Sequence, residues 1–418
     1  MIGYAQALSM VREAVPLLGM EAVPAIAAED RVLAEPLVSA AALPPFDNSA
    51  MDGFGVHASS AGLAAGVELA VGGWQAAGDT QCRAGDGAWE MMTGAPVPAG
   101  LDAVIPVEQV EVLARAEGRP LAIRLLAAVQ PGQHVRRSGE DVCVGEPVLP
   151  AGERLGAPQT TMLAALGVAQ VLVRRRPRVA VIATGRELVG DPAQPLASGQ
   201  IRDSNRPFLA AQLRAAGAEV VWQGIVGDEP AQFHAALDAA LAAGADAVLS
   251  SGAVSQGRYD FVPEALRQRG ARIGFHKVAI RPGKPLLFAT LAEGPLYFGL
   301  PGNPVSSAVG LRFFVEPALR AMLGLAAEKP LWLPAGMPIA KPAALRFHGS
   351  GVVACDRSGQ LRAAILPQQH SFRLRPLLAA NAWLVVPEGV ADVAADEPVQ
   401  VYGLGHWQPV QLSWEKQS

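Results

Sequence analysis

"RVAVIATGREL", residues 178–188, opens on a short β-rich apolar run and ends, past a glycine, on an arginine and a carboxylate. The downstream residues give it a context. "NRPFLAAQLRAAG" (205–217) has helical periodicity, with Asn205 as the expected N-cap and Gly217 as the stop. "AEVVWQGIV" (218–226) is a second strand and "EPAQFHAALDAALAAG" (229–244) a second helix. "ADAVLSSG" (245–252) and "YDFVPEALRQRG" (259–270) repeat the pair. "ARIGFHKVAI" (271–280) and "LLFATL" (286–291) are further strand text before the helix "NPVSSAVGLRFFVEPALRAMLG" (303–324). Alternation at this spacing predicts a mostly parallel sheet with helices on both faces, a three-layer α/β domain over residues 178–326.

On either side the texture changes. Residues 1–177 begin with an amphipathic helix, "MIGYAQALSMVREAVPLL", and continue as Gly- and Pro-rich β text, with a β-rich part at about 45–145 and a helix at "APQTTMLAALG" (157–167). Residues 327–418 open on a proline-marked junction, and alternating runs such as "GVVACDRSGQLRAAIL" (351–366) suggest a small β-barrel. A chain of 418 residues is long enough for two to four domains. A net charge of −4 gives no electrostatic case for nucleic acid, and no apolar run reaches the ~18 residues of a membrane span. No basic start with an apolar core opens the chain, so a cytoplasmic protein is expected. Cys82, Cys143 and Cys355 are too few and too scattered for a disulfide framework or a zinc site.

In an open parallel sheet, ligands bind beyond the carboxyl ends of the strands. The text after three strands delivers Glu187, Asp228 and Asp260. Each acid alone reads equally as a solvated loop residue, and Asp260 as a helix cap. Gathered on one rim without cations, they would repel unless they shared a divalent metal. The same rim carries "SSGAVSQG" (250–257), with Ser251, Gly252 and Ser255, and "LPGNPVSS" (300–307), with Gly302, Asn303 and Pro304 ahead of a helix. Glycines and exposed N–H groups at a helix start suit an anion. "AIRPGKPL" (279–286) adds Arg281 and Lys284 on a Pro-Gly turn, which alone would read as a solvated turn.

Taken together, these stretches resemble the molybdopterin molybdenumtransferase family, the bacterial MoeA proteins and the matching domain of gephyrin. "NSAMDGFG" (48–55), otherwise a plausible surface loop, resembles the family's N-S-A-M-D-G-Y-A. "MTGAPVPAGLDAVIPVE" (92–108), "RRSGEDV" (136–142), "GQIRDSN" (199–205), "RPGKP" (281–285) and "GLPGNPVS" (299–306) match further family motifs in order. The resemblance implies molybdenum cofactor biosynthesis: insertion of molybdenum from molybdate into adenylylated molybdopterin, with release of AMP and a requirement for Mg2+ or another divalent cation. Carried over, the catalytic set is Asp52, Asp141, Glu187, Asp228 and Asp260, with Glu187, Asp228 and Asp260 as metal ligands. Thr93, Arg136, Ser251, Gly252, Ser255, Arg281, Lys284, Gly302, Asn303 and Pro304 would bind substrate. The family also implies a homodimer with sites shared between subunits, and contact with the molybdopterin adenylyltransferase.

The chain departs from the family pattern at named places. Arg186 replaces the aspartate of T-G-D-E-L, Ala253 the second glycine of S-G-G-V-S, and Pro263 a lysine common after Y-D-x-V. "HSFRLRPLLAANAW" (370–383) puts Phe372, Arg373 and Arg375 in a loop usually rich in Ser and Gly. Two rival readings are a non-catalytic or altered-specificity relative that serves as a molybdopterin-binding scaffold, and an adenylyltransferase-like activity.

Overall fold

The computed structural model describes residues 1–253, 261–356 and 358–414. It divides into two compact units, one comprising residues 22–29 and 35–171, the other residues 1–21, 30–34 and 172–414.

The larger unit is built on a six-stranded sheet with the order Glu219–Val226, Arg178–Thr184, Ala247–Ser251, Leu296–Leu300, Leu287–Thr290, Arg272–His276. The first four run parallel, and Leu287–Thr290 is antiparallel to both its neighbours. The apolar runs alternate between two cores. Val179, Val181, Leu249 and Phe298 meet the N-terminal helix Tyr4–Ala14, the helix Asn205–Ala215 and the helical stretch 304–322 on one face. Ala180, Ile182, Val248 and Tyr297 meet Pro230–Ala242 and Val262–Gln268 on the other. All eight strand residues are buried, and each large apolar side chain among them contributes about 1.5–3 kcal/mol.

Three local readings need correction. "ARIGFHKVAI" is two strands, because Lys277 turns the chain through φ +82° and Ile280–Arg281 then joins the C-terminal sheet beside Arg346–Cys355. The strand Leu296–Leu300 was not singled out in the sequence, yet it lies inside the sheet. Asn205 is the first helical residue after an N-cap at Ser204, and its side chain bonds elsewhere.

The C-terminal strands, together with Ile280–Arg281, form a seven-stranded sheet around Phe347, Val353, Ala363, Leu384 and Val401. A bridge between Ala335 and Ala363 returns the Leu331–Pro334 edge to Leu361–Ile365, so the sheet closes into a barrel. Barrel and α/β sheet are knit by buried polar groups. The Arg312 guanidinium donates to the Gly403 carbonyl at 2.9 Å, and the His406 amide donates to Glu316 at 2.8 Å.

The smaller unit holds a second six-stranded sheet, ordered Ala103–Pro106, Gly53–Val56, Ala88–Met91, Glu68–Gln75, Arg119–Leu125, Val110–Ala116. Its core includes Phe54, Val56, Ile105 and Ile123. "NSAMDGFG" is therefore no simple surface loop. Asn48 and Ser49 are buried and Gly53 lies so close to its neighbour that a Cβ would sit 2.0 Å from the Ile105 carbonyl.

Candidate functional site

The sheet order reverses around Arg178–Thr184, whose sequence successors lie on opposite sides of it. The loops beyond neighbouring strands part at such a point and leave a crevice. There the larger unit has a cleft of about 1120 Å³, lined by Thr184, Arg186, Glu187, Asp228, Ser251, Gly252, Gly302, Asn303 and Pro304, among others.

Its acids are set by backbone geometry. Gly185 has φ +149°, and a Cβ there would stand 2.6 Å from a Glu187 carboxylate oxygen, so glycine lets the Glu187 side chain fold back over the strand end. The Glu187 carbonyl accepts from the Ile201 amide at 2.8 Å, and Leu188–Val189 pairs in parallel with Ile201–Arg202. Asp228 follows Glu219–Val226 and is half-buried. Neither carboxylate has an ion pair among the described residues. No cluster of three or more His, Cys, Asp or Glu side chains poised for a metal exists among those residues. Asp260 and Ser255, expected here from the sequence, lie outside them.

Small and neutral groups shape the floor. Thr184 Oγ1 donates to the Ser251 carbonyl at 3.1 Å. The Asn205 amide donates to Ser251 Oγ at 2.6 Å and to the Gly302 carbonyl at 2.7 Å, tying two strand-end loops together. A Cβ on Gly252, at φ +100°, would stand 2.6 Å from the Thr184 carbonyl. Two of the amides expected to hold an anion are already engaged: Gly252 N–H donates to Leu300 at 3.0 Å and Val305 N–H to Ser371 at 3.0 Å. Pro304 has no N–H to offer. Ala253 takes φ +51°, a left-handed conformation that glycine adopts at less cost.

Cations reach the cleft differently from the sequence expectation. Arg186 lines it, exposed, with no ion pair among the described residues. Arg281 and Lys284 are exposed on the turn before Pro285, and of that turn it is Pro285 that lines the cleft. Pro263 is buried as the second residue of the helix Val262–Gln268, where the missing N–H costs no helical bond. Asp203 and Asn205 are among the cleft residues that the sequence does not assign to the site. Asp203 accepts from the Arg206 amide at 3.1 Å and from its guanidinium at 2.7 Å, and Asn205 was read only as a cap. Both lie in the quoted "GQIRDSN", and an acid three residues before an arginine at a helix start was the available signal.

The smaller unit carries the remaining candidates, of which Asp52 and Thr93 are in contact. Asp52 Oδ1 accepts from the Thr93 amide at 2.7 Å and its hydroxyl at 3.0 Å, bonds that lower the carboxyl pKa from its usual value. Arg136 lies opposite Asn48 in a short antiparallel pair, and the Asp141 amide donates to Leu43 at 2.9 Å. The side chains of Arg136 and Asp141 are exposed.

A parallel-rich α/β sheet with a polar cleft at its switch point, joined to a closed barrel, defines a ligand-binding α/β protein. Residues 2–167 match the model of the MoeA N-terminal region (domain I and II), residues 180–321 that of a "probable molybdopterin binding domain", and residues 338–404 that of the MoeA C-terminal region (domain IV). The chain is 39% identical to the molybdopterin molybdenumtransferase of Synechococcus elongatus, over 93% of this chain and 95% of that one. It is 38% identical to molybdopterin molybdenumtransferase 2 of Mycobacterium tuberculosis, over 91% and 94%. The crystal structure of the molybdopterin biosynthesis moeA protein of Pyrococcus horikoshii superimposes with a TM-score of 0.81 at 29% identity, covering 96% of this chain and 99% of that one. The chain belongs to the molybdopterin molybdenumtransferase family.

Proposed function

We propose that this protein is a transferase of molybdenum cofactor biosynthesis, inserting molybdenum from molybdate into adenylylated molybdopterin with release of AMP. The observation that carries this reading is near-full-length identity of 38–39% with proteins named molybdopterin molybdenumtransferase. The cleft chemistry is consistent with it. Glu187 and Asp228 are oxygen donors without cationic partners among the described residues, which suits Mg2+ or another hard divalent cation, with Asp260 as a third ligand. Bound there, such a cation would neutralise charge on the phosphoanhydride oxygens. Arg186 would hold the anionic substrate, while Ser251, Asn303 and the glycines at 252 and 302 allow it to approach the backbone closely.

The deciding experiment is molybdate-dependent AMP release from adenylylated molybdopterin. The wild type should release AMP only when molybdate and a divalent cation are both present. Asp228→Asn should slow that release by about a hundredfold or more, with an unchanged melting temperature. AMP release by the wild type that ignores molybdate would overturn the reading.

The working form is a homodimer, in which Asp52, Thr93, Arg136 and Asp141 of one subunit complete the cleft of the other. Support comes from the resemblance to the family, and the two sets of candidate residues belong to different compact units of the chain. Mixing Asp52→Ala and Asp228→Ala chains should restore about a quarter of wild-type activity per site pair on statistical exchange. A mixture as inactive as its parents after verified exchange would count against sharing.

A further inference from the structure

Phe372 is 62% exposed, yet it lines the cleft together with Leu374. A large aromatic ring left in water on the wall of a polar cleft keeps π surface available to a flat ligand. The loop that carries it is fixed on several sides. The Ser371 carbonyl accepts from Val305 at the helix start, and the Arg373 amide donates to His370 at 3.0 Å. The Arg373 guanidinium donates to Gln368 Oε1 at 2.5 Å, and its carbon stands 5.6 Å from the centre of the Phe372 ring. His370 stacks on the same ring, centroids 5.8 Å apart and planes 28° from parallel. The ring is therefore oriented before any ligand arrives.

Resting on the function proposed above, we infer that Phe372 is a stacking platform for a planar fused-ring heterocycle, the adenine or the pterin of the substrate. A flat, nitrogen-rich ring is matched by the π surface of Phe372, and the Arg373 guanidinium over the same ring adds positive charge beside it. Leu374 adds a second apolar side chain to the same lining.

The test is calorimetric titration of the full-length protein with AMP and, separately, with 6-hydroxymethylpterin. Phe372→Tyr keeps the π face, Phe372→Leu keeps apolar area without it, and Phe372→Ala removes both. The expected result is an affinity about tenfold lower for one of the two ligands in the Leu and Ala variants, with wild-type affinity in the Tyr variant. Loss for AMP alone assigns the platform to adenine, and loss for the pterin alone assigns it to the pterin. Molybdate affinity and melting temperature should not change, since the side chain is exposed. Wild-type affinity of the Ala or Leu variant for both ligands would overturn the inference and leave the functional reading standing. A wild-type protein that binds neither ligand would overturn both.

Discussion

Arg186 lines the cleft with no ion pair among the described residues, next to Glu187 in sequence and in the same lining as Asp228. An exposed guanidinium offers forked donors that suit a tetrahedral oxyanion, whereas the aspartate of the family motif would repel one or help hold a cation. Arg186→Asp should therefore weaken molybdate binding about tenfold, or about 1.4 kcal/mol, and any gain should be confined to divalent-cation affinity. The loss should shrink with added salt, as for other exposed charges. Calorimetric titration of both proteins with molybdate and with Mg2+ checks this, and unchanged affinity for both would place Arg186 outside the binding step. At this scale the place of Glu187 and Asp228 in the cleft was legible because each comes shortly after the end of a strand of the α/β sheet, a position that sequence alone can mark. Asp203 and Asn205 were not, because polar residues at a helix start read equally well as caps. Their real partners, Arg206 and the Ser251–Gly302 pair, become visible only in three dimensions.

At the level of elements, the strand and helix pattern from residue 178 onward was legible because both cores alternate along continuous apolar runs. Leu296–Leu300 escaped because five residues between proline-marked turns carry no period of their own, although the strand pairs with Ala247–Ser251 and delivers Pro301–Pro304 into the cleft. The Asn205–Ala215 helix shows how much one predicted stop can hold. The Ala218 amide donates to Leu213 at 2.9 Å and the Gly217 amide to Arg214 at 3.0 Å, the paired bonds of a Schellman motif. Gly217 has φ +82°, and a Cβ there would stand 2.1 Å from the Trp407 ring, on the loop beyond the barrel strand Pro398–Tyr402. Gly217→Ala thus combines a strained backbone with an overlap across the barrel contact, for an expected loss of about 2–4 kcal/mol. Urea denaturation measures it. A shift below about 1 kcal/mol would mean that Trp407 moves aside freely and the contact is loose.

Across the whole molecule, the sequence showed an α/β region with β-rich regions on both sides, but it did not show what joins the α/β sheet to the barrel. That junction is polar and buried. Arg312 and Glu316, 3% and 1% exposed in their side chains, lie 3.3 Å apart, and Arg312 also pairs with Glu328 at 2.7 Å. One carboxylate on a mid-helix turn reads as solvated in a sequence, so its burial was invisible there. Burial pushes the Glu316 pKa up to about 8, outweighing the opposite pull of Arg312. In the unfolded chain the same carboxyl ionises near pH 4.5. Between these values the folded state holds the proton that the unfolded state releases, so this group makes stability fall as pH rises from 4.5 through about 8. The slope is at most about 1.4 kcal/mol per pH unit. Glu316→Gln keeps the shape and can still accept from the His406 amide, but it cannot ionise. The variant should match the wild type near pH 4.5 and exceed it by a margin that grows toward pH 8, as read from urea midpoints across that range. The opposite outcome is equally informative: a variant less stable by about 3–5 kcal/mol at every pH would mean that Glu316 is ionised in the fold and neutralises Arg312. In that case the ion pair itself, and not a protonated carboxyl, fastens the barrel to the α/β sheet.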